Sequence, residues 1–556
     1  MQLNKFSAQQ LNAKSLLGLL LGAYLLFAYL PLLLNAGISV DDWGDISHNL
    51  DCHSFWECYQ SWFPLFSNRP LAPLPITALT FALGTWYAGY LWINSLLYLL
   101  AIGVCAKVLR HLFNSGQAIT FILFAAIPII AMPVITSPIN QSTATVSFLL
   151  WAYSFAALFR YLQSGKSFSW AISYVLLLMA FFTYEVILPL LALSALLPWA
   201  WDPRTFSIIK PRYWRQFLLP LMAVLIITWL WQKGIAPQFM EVDSRLKFSA
   251  SQALIKLYTF IDVFIHQIPQ LFLRLPSFLN WQNLVFALFA TSTLVLTLIL
   301  GPRVQRASNS NSFLTALLAS DALSLSNQRS RRFLVIATLC FVASSLIFIL
   351  SNESAVSGGY QARGLSSTWF AFAIFLAAIP PTQNVFLNLW RAVLVLFFGL
   401  CALSFSVQRD QTIAAWQMQL QIVEDANRLI REQGLPPNSV VMGDVPHYLE
   451  PNYNQEIVFS QPWDFGAALT ITNANQIKPG PVIDSARGQL RLLRMENGQI
   501  VALNFGGASL EQFWIYQFDS QLQRGNLTRI TTSDQFATLL TALQARHVPT
   551  KSYSKP

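Results

Sequence analysis

Asp41 and Asp42 stand side by side a few residues beyond an apolar stretch, residues 16–34, that is long enough to cross a bilayer. A carboxylate is costly near hydrocarbon, about 2.5–3.5 kcal/mol at a helix centre, so two at a membrane boundary imply a use. A carboxylate placed there can draw the proton from a hydroxyl nucleophile. With Asp45, the pair could instead offer oxygen ligands to Mg²⁺ or Mn²⁺. A third reading is structural, because aspartate is a good helix N-cap. His48, Asp51, His53 and Glu57 follow in the same loop. The two histidines read as polar loop residues.

Positioning such residues falls to membrane helices. The 556 residues are 54% hydrophobic and only 11% charged, well below the roughly 25% charged of soluble domains. This is the composition of a polytopic α-helical membrane protein. Further apolar segments occupy residues 90–109, 119–135, 144–159, 170–182, 186–199, 217–231, 284–300, 333–350, 365–379 and 385–405, giving about eleven transmembrane helices in all. The first is too long for the apolar core of a signal peptide and is expected to be retained. The formal charge of +10 does not point to nucleic acid. Most cations lie in short loops around 107–111, 160–166, 204–215 and 303–332. Consecutive basic loops are two spans apart, which puts them on the side of Lys5 and Lys14 and makes that side cytoplasmic. The segment 254–275 is apolar but carries Lys256, Asp262, His266 and Arg274, a pattern suited to a helix lying in the interface.

The chain divides into a membrane domain, 1–406, whose outer loop 36–88 carries Asp41-Asp42, and an α+β domain, 407–556, outside the cytoplasm. In the second domain an amphipathic run, 412–432, stops at Gly434 with Pro436 beyond. Residues 438–443 read as a strand, and Asn497-Gly498 marks a hairpin. Thr532 and Gln535 form a capping box for a last helix at 535–544. Cys105, Cys340 and Cys401 are expected as inert packing residues. Cys52 and Cys58 share the outer loop, where an oxidising compartment permits a disulfide if the chain turns between them. Sequons at Asn140, Asn352 and Asn526 fall on the outer side.

The order of features resembles the GT-C superfamily of integral membrane glycosyltransferases. Asp41-Asp42-Trp43 in the first outer loop is followed by Arg69-Pro70-Leu71, Ala82-Leu83-Gly84 and a long helix ending at Lys107–Arg110. A second likeness is Thr183-Tyr184-Glu185-Val186-Ile187-Leu188-Pro189, similar to the Glu-plus-Pro hairpin of these enzymes, with Tyr184 where Lys is frequent. The resemblance covers roughly residues 15–405 and is strongest to bacterial O-antigen-modifying glucosyltransferases. It implies transfer of a sugar from a polyprenyl-phosphate donor, such as undecaprenyl phosphate, to an envelope glycan, lipopolysaccharide, other lipid or glycoprotein. The reaction would take place on the outer face of a bacterial inner membrane, by an inverting displacement.

That chemistry needs one base and cations for the departing phosphate. Asp41 or Asp42 is the expected base. Among cations on the predicted outer side, Arg363 stands out, in Gly358-Gly359-Tyr360-Gln361-Ala362-Arg363-Gly364 ahead of a span. Guanidinium binds phosphate bidentately, and the glycines allow close backbone approach. Arg69 is the second candidate, unless it pairs with the acidic cluster. Glu185, Asp45 and Tyr360 are supporting or acceptor residues. No cofactor is expected, and a divalent metal is not favoured. Trp463-Asp464 could contact a glycan, although packing at an element end is the plainer reading. A prenyltransferase would explain Asp41-Asp42-x-x-Asp45 but needs a second aspartate motif on the same face. A transporter would carry charges inside its helices, which are nearly free of them.

Overall fold

The computed structural model describes residues 2–39, 41–50, 52–239, 250–308, 330–349, 354–379, 385–459, 463–473, 478–482, 493–496, 499–502 and 506–546. The protein is a multi-pass helical membrane protein with a small mixed domain at its C-terminal end. Seven helices among the described residues are long and apolar enough to cross a membrane: Ser15–Asn35, Tyr87–Leu112, Ser142–Ser164, Pro211–Gln238, Trp281–Leu300, Ser330–Ile349 and Leu389–Glu432. The other expected segments form shorter apolar helices at Ser115–Ala125, Ser167–Thr183, Glu185–Trp201 and Ser366–Ala378.

In chain order, α1 (Gln2–Asn35) is followed by three short helices, α2 (Asp42–Leu50), α3 (Phe55–Trp62) and α4 (Pro73–Leu83), then by α5 (Tyr87–Leu112) and α6 (Ser115–Ala125). The expected helix over 119–135 is not formed as such. The chain leaves α6 at Ala126 and passes through a buried irregular stretch to a one-turn helix, α7 (Pro133–Thr136). Pro128 and Pro133 each lack an N–H and crowd the preceding turn, which favours a break in the helix before them. Next come α8 (Ser142–Ser164), α9 (Ser167–Thr183), a 3₁₀ turn at Glu185–Leu190 and α10 (Leu191–Trp201). The two short segments expected between 168 and 201 are thus present, with Glu185 at their joint. The interfacial candidate is helical from Ala250 to Arg274 and presents Leu254 and Leu273 outward.

Val385–Glu432 is one helix of 48 residues, about 72 Å long at 1.5 Å per residue. The apolar span and the amphipathic run appeared separable in sequence, yet no Gly or Pro interrupts residues 400–432. The helix therefore crosses residue 406 without a break and projects its second half into the C-terminal domain.

That domain holds a four-stranded sheet in the order β2-β1-β6-β7, from β1 (Val440–Asp444), β2 (Lys478–Val482), β6 (Phe513–Asp519) and β7 (Arg524–Arg529). β1 runs parallel to β2 and β6, and β7 closes the edge antiparallel to β6. A second sheet contains β3 (Leu493–Glu496), β4 (Gln499–Ala502) and β5 (Gly506–Ser509), all antiparallel. Glu496 pairs with Gln499, as the expected hairpin requires; its turn, Asn497-Gly498, lies outside the described residues, as do Asp51 and Asn352. Thr532 Oγ1 accepts from Gln535 N at 3.2 Å and caps the last helix, Ser533–Arg546.

One apolar cluster fills the membrane bundle. A second joins Ile38, Trp43 and Ile46 to Trp416 of the long helix and to Val441 and Phe465 of the C-terminal domain. Trp43 is fully buried, stacks on Trp416 with ring centroids 5.7 Å apart, and donates to Gln419 Oε1 at 2.8 Å. Gly37 lies so close to Trp416 that an added Cβ would sit 2.4 Å from the ring. The segment around the acidic pair is therefore clamped between bundle and domain.

Candidate active site

Neighbouring aspartates receive opposite surroundings here. Asp42 opens α2 and is fully buried. Its Oδ1 accepts from Ser137 Oγ at 3.2 Å, Ile139 N at 3.1 Å and Asn140 N at 2.9 Å, and its Oδ2 accepts from Ser39 N at 3.1 Å. Burial pushes its pKa up to about 7, against donors that pull it down. With four donors bound, Asp42 has little capacity left for a metal or a substrate. It ties the exit of α1 to the turn before α8.

Asp41 points the other way. About a fifth of its side chain is exposed, and its Oδ2 lies 4.0 Å from Arg363 Nη1. Arg363 stacks over the Tyr360 ring, 3.9 Å from its centroid. The Tyr360 phenol donates to Asn140 Oδ1 at 2.6 Å and lies within hydrogen-bond reach of Asp41. Burial, opposed by Arg363 and aided by Asp41, holds that phenol well above its ordinary pKa, so it remains a donor. Asn140 links the two aspartates. Its N–H serves Asp42, while its side-chain oxygen receives Tyr360 and, at 3.5 Å, Arg363.

Arg69 does not pair with the acidic cluster. Its guanidinium grips Glu185 with a two-pronged contact and lies 4.4 Å over the Tyr184 ring. The Leu71 N–H donates to Phe182 O at 3.0 Å, fastening the Arg69-Pro70-Leu71 segment to the end of α9. Arg69 is close enough to Arg363 for their charges to repel. Asp41, Arg363, Tyr360, Arg69 and Glu185, drawn from four segments of the chain, thus gather at one end of the bundle.

Asp45 is set apart from this group. It is nearly buried, and burial together with the charges of Asp42, Asp41 and Asp464 pushes its pKa well up. It faces the C-terminal domain through helix Asp464–Thr472, which packs on α2. Trp463 lies against Gly44, 2.9 Å from where a Cβ would stand, so its ring serves that packing. Cys52 and Cys58 form a disulfide, with Cα atoms 5.4 Å apart, across the turn between α2 and α3. Among the described residues no group of three or more His, Cys, Asp or Glu is arranged to hold a metal ion.

Sequence reasoning missed the contribution of the C-terminal domain. Gly359 N donates to Asn454 O at 3.1 Å, and a Cβ on Gly358 would meet Asn454 at 2.8 Å. Gly359 has φ +61°, a conformation suited to glycine. The glycine pair therefore lets residues 454–456 close over the Arg363 loop. Beside Tyr360 opens a small cavity of about 60 Å³, lined by Ser39, Gln408, Trp416 and Glu456. Gln408 is 1% exposed and donates to Ile129 O and Ser404 Oγ, but its Oε1 accepts no hydrogen bond among the described residues. Burial pushes Glu456 up to about 7. Neither residue belongs to a recognisable motif. Only the polar Gln408 inside an apolar run was a signal.

Fold and site together define a multi-pass helical membrane protein with a charged cluster where its bundle meets an extramembrane domain. No family model matches the chain, and no curated protein sequence matches it. Among solved structures, the chain is similar to ArnT from Cupriavidus metallidurans in the apo state, at 14% identity and a TM-score of 0.35, covering 92% of this chain and 94% of that one.

Proposed function

We propose that the protein is a GT-C-type glycosyltransferase that moves a sugar from a polyprenyl phosphate to a hydroxyl of an envelope glycan, lipid or glycoprotein. The observation that carries this reading is the placement of a partly exposed carboxylate, Asp41, 4.0 Å from the guanidinium of Arg363 at one end of a membrane bundle. The motif resemblance supports the same reading.

In this mechanism Asp41 takes the proton of the acceptor hydroxyl as its oxygen bonds to the anomeric carbon. The bond from that carbon to the phosphate oxygen breaks, and its electron pair leaves with the lipid phosphate. Arg363 faces the negative charge gathering there, which is most effective in a dry, fixed site. Arg69, fixed by Glu185, adds positive potential. Tyr360 and Asn140 orient Arg363, and Asp42 secures the turn that carries Asn140. The cavity beside Tyr360 would take sugar hydroxyls, with Gln408 Oε1 and Glu456 as acceptors. Each step uses side chains alone, without a metal or cofactor. The loop charges favour a cytoplasmic N-terminus, with the site and the C-terminal domain on the outer face of a bacterial inner membrane.

The test is sugar transfer by purified protein in lipid, using a panel of radiolabelled polyprenyl-phosphate sugars and envelope extracts. Transfer from one donor, lost in Asp41→Asn, supports the reading. Absence of transfer from every donor, by protein that is folded, would remove it.

A further inference from the structure

At the opposite end of the bundle, where α5 and α8 end and α9 begins, lies a groove of about 1000 Å³. Lys107, His111, Arg160 and Lys166 line it, and no Asp or Glu does. None of Lys107, Arg160 or Lys166 forms an ion pair among the described residues. Below the cations the walls turn apolar: Phe168, 75% exposed, is followed by Ile172 and Leu176 one and two turns along α9. The cations stand at helix ends and the apolar trough runs along the helix shafts toward the membrane interior.

We infer that this groove binds an anionic phospholipid of the leaflet on that side. The head-group phosphate lies among Lys107, Arg160 and Lys166, and an acyl chain follows Phe168, Ile172 and Leu176. Three cations without a carboxylate leave a local positive charge that only an anion neutralises. The trough beneath gives no advantage to a small soluble anion, whereas it covers a lipid tail. Basic segments at the cytoplasmic surface gain from the anionic lipids of that leaflet, and basic pockets between membrane helices there suit anionic head groups. The ligand is thus an amphiphile of matching polarity. This inference is independent of the reaction at the other end of the bundle.

The experiment equilibrates the full-length protein with phosphatidylglycerol and phosphatidylcholine in mixed micelles, then counts retained lipid by native mass spectrometry. Wild type should retain phosphatidylglycerol in preference. Each cation near a membrane surface contributes about fivefold, so Lys107→Gln/Arg160→Gln/Lys166→Gln should lose the preference by more than about tenfold, and each single variant by about fivefold. Arg204→Gln/Lys210→Gln/Arg212→Gln removes the same charge from another loop of that end and should keep the wild-type preference. Unfolding temperatures in phosphatidylcholine establish that the variants are folded, and the single variants carry the test should the triple one fail to fold. An unchanged preference in the groove variants would overturn the inference. So would an equal loss in the control, since general charge attraction would then explain the binding.

Discussion

At one end of the bundle Asp41, Arg363, Arg69 and Glu185 bring both signs of charge together, on segments that are irregular or barely helical. At the other end Lys107, Arg160 and Lys166 sit where α5 and α8 finish and α9 starts, and show one sign only. Converging side chains from four segments requires turns, and the site end has them: residues 137–140, the 3₁₀ turn Glu185–Leu190 and the 3₁₀ turn Tyr360–Leu365. Regular helix ends can present charge to a leaflet but do not focus it. On the proposed function and the inferred lipid groove, the difference separates a chemical site from a membrane-facing surface. Within the site end the same contrast recurs, because Asp42 has spent its oxygens on the turn while Asp41 retains exposure.

The sharpest way to break this comparison is to remove Asp42. Asp42→Ala strands the buried N–H of Ile139, at a cost of about 1–3 kcal/mol, and leaves the part-buried N–H groups of Ser39 and Asn140 without their acceptor. We expect a fall in unfolding temperature large enough to depress the yield of folded protein, measured by thermal denaturation in lipid. Arg363→Gln should lower sugar transfer by about 10²–10³, the range for one oxyanion-stabilising donor, with little change in unfolding temperature. Equal losses of stability in both variants would erase the distinction.

A pH series sharpens it further. Asp42 and Glu456 each titrate near 7 in the folded protein, above the ordinary carboxylate values of about 4. The folded state therefore binds more protons than the unfolded one between those limits. Their stabilising contribution is full below about pH 4 and is lost as pH rises through 7. Unfolding temperature should decline from pH 5 to 8, and Glu456→Gln should flatten part of the slope. The smallest effect is expected at the far end: Arg212→Gln, exposed, hydrogen-bonded to Gln216 and 5.9 Å over the Phe206 ring, should change transfer by less than about twofold and stability by less than about 0.5 kcal/mol.

Much of the bundle was legible because spans, basic loops and the cap at Thr532 are local patterns. The break at Pro128 and the continuity of helix Val385–Glu432 were legible in principle from where prolines and glycines do and do not occur. The nomination of Asp41, Arg363, Tyr360, Arg69 and Glu185 came from residue type and side of the membrane, yet their juxtaposition depends on contacts more than a hundred residues apart, as between Arg69 and Glu185. The division of labour between Asp41 and Asp42 was not legible. It rests on backbone N–H groups of Ile139 and Asn140, which any residue but proline supplies, so no side-chain pattern announces them. The closure of residues 454–456 over Gly358-Gly359 was hidden for the same reason.

The central claim is that Asp41, and not Asp42, takes the acceptor proton. The most direct measurement compares sugar transfer by wild type, Asp41→Asn and Asp42→Asn in lipid, with the unfolding temperature of each. The account predicts that Asp41→Asn loses about 10²–10⁴ in rate at wild-type stability, while Asp42→Asn loses stability and keeps appreciable transfer per folded molecule. Full transfer by folded Asp41→Asn would contradict it.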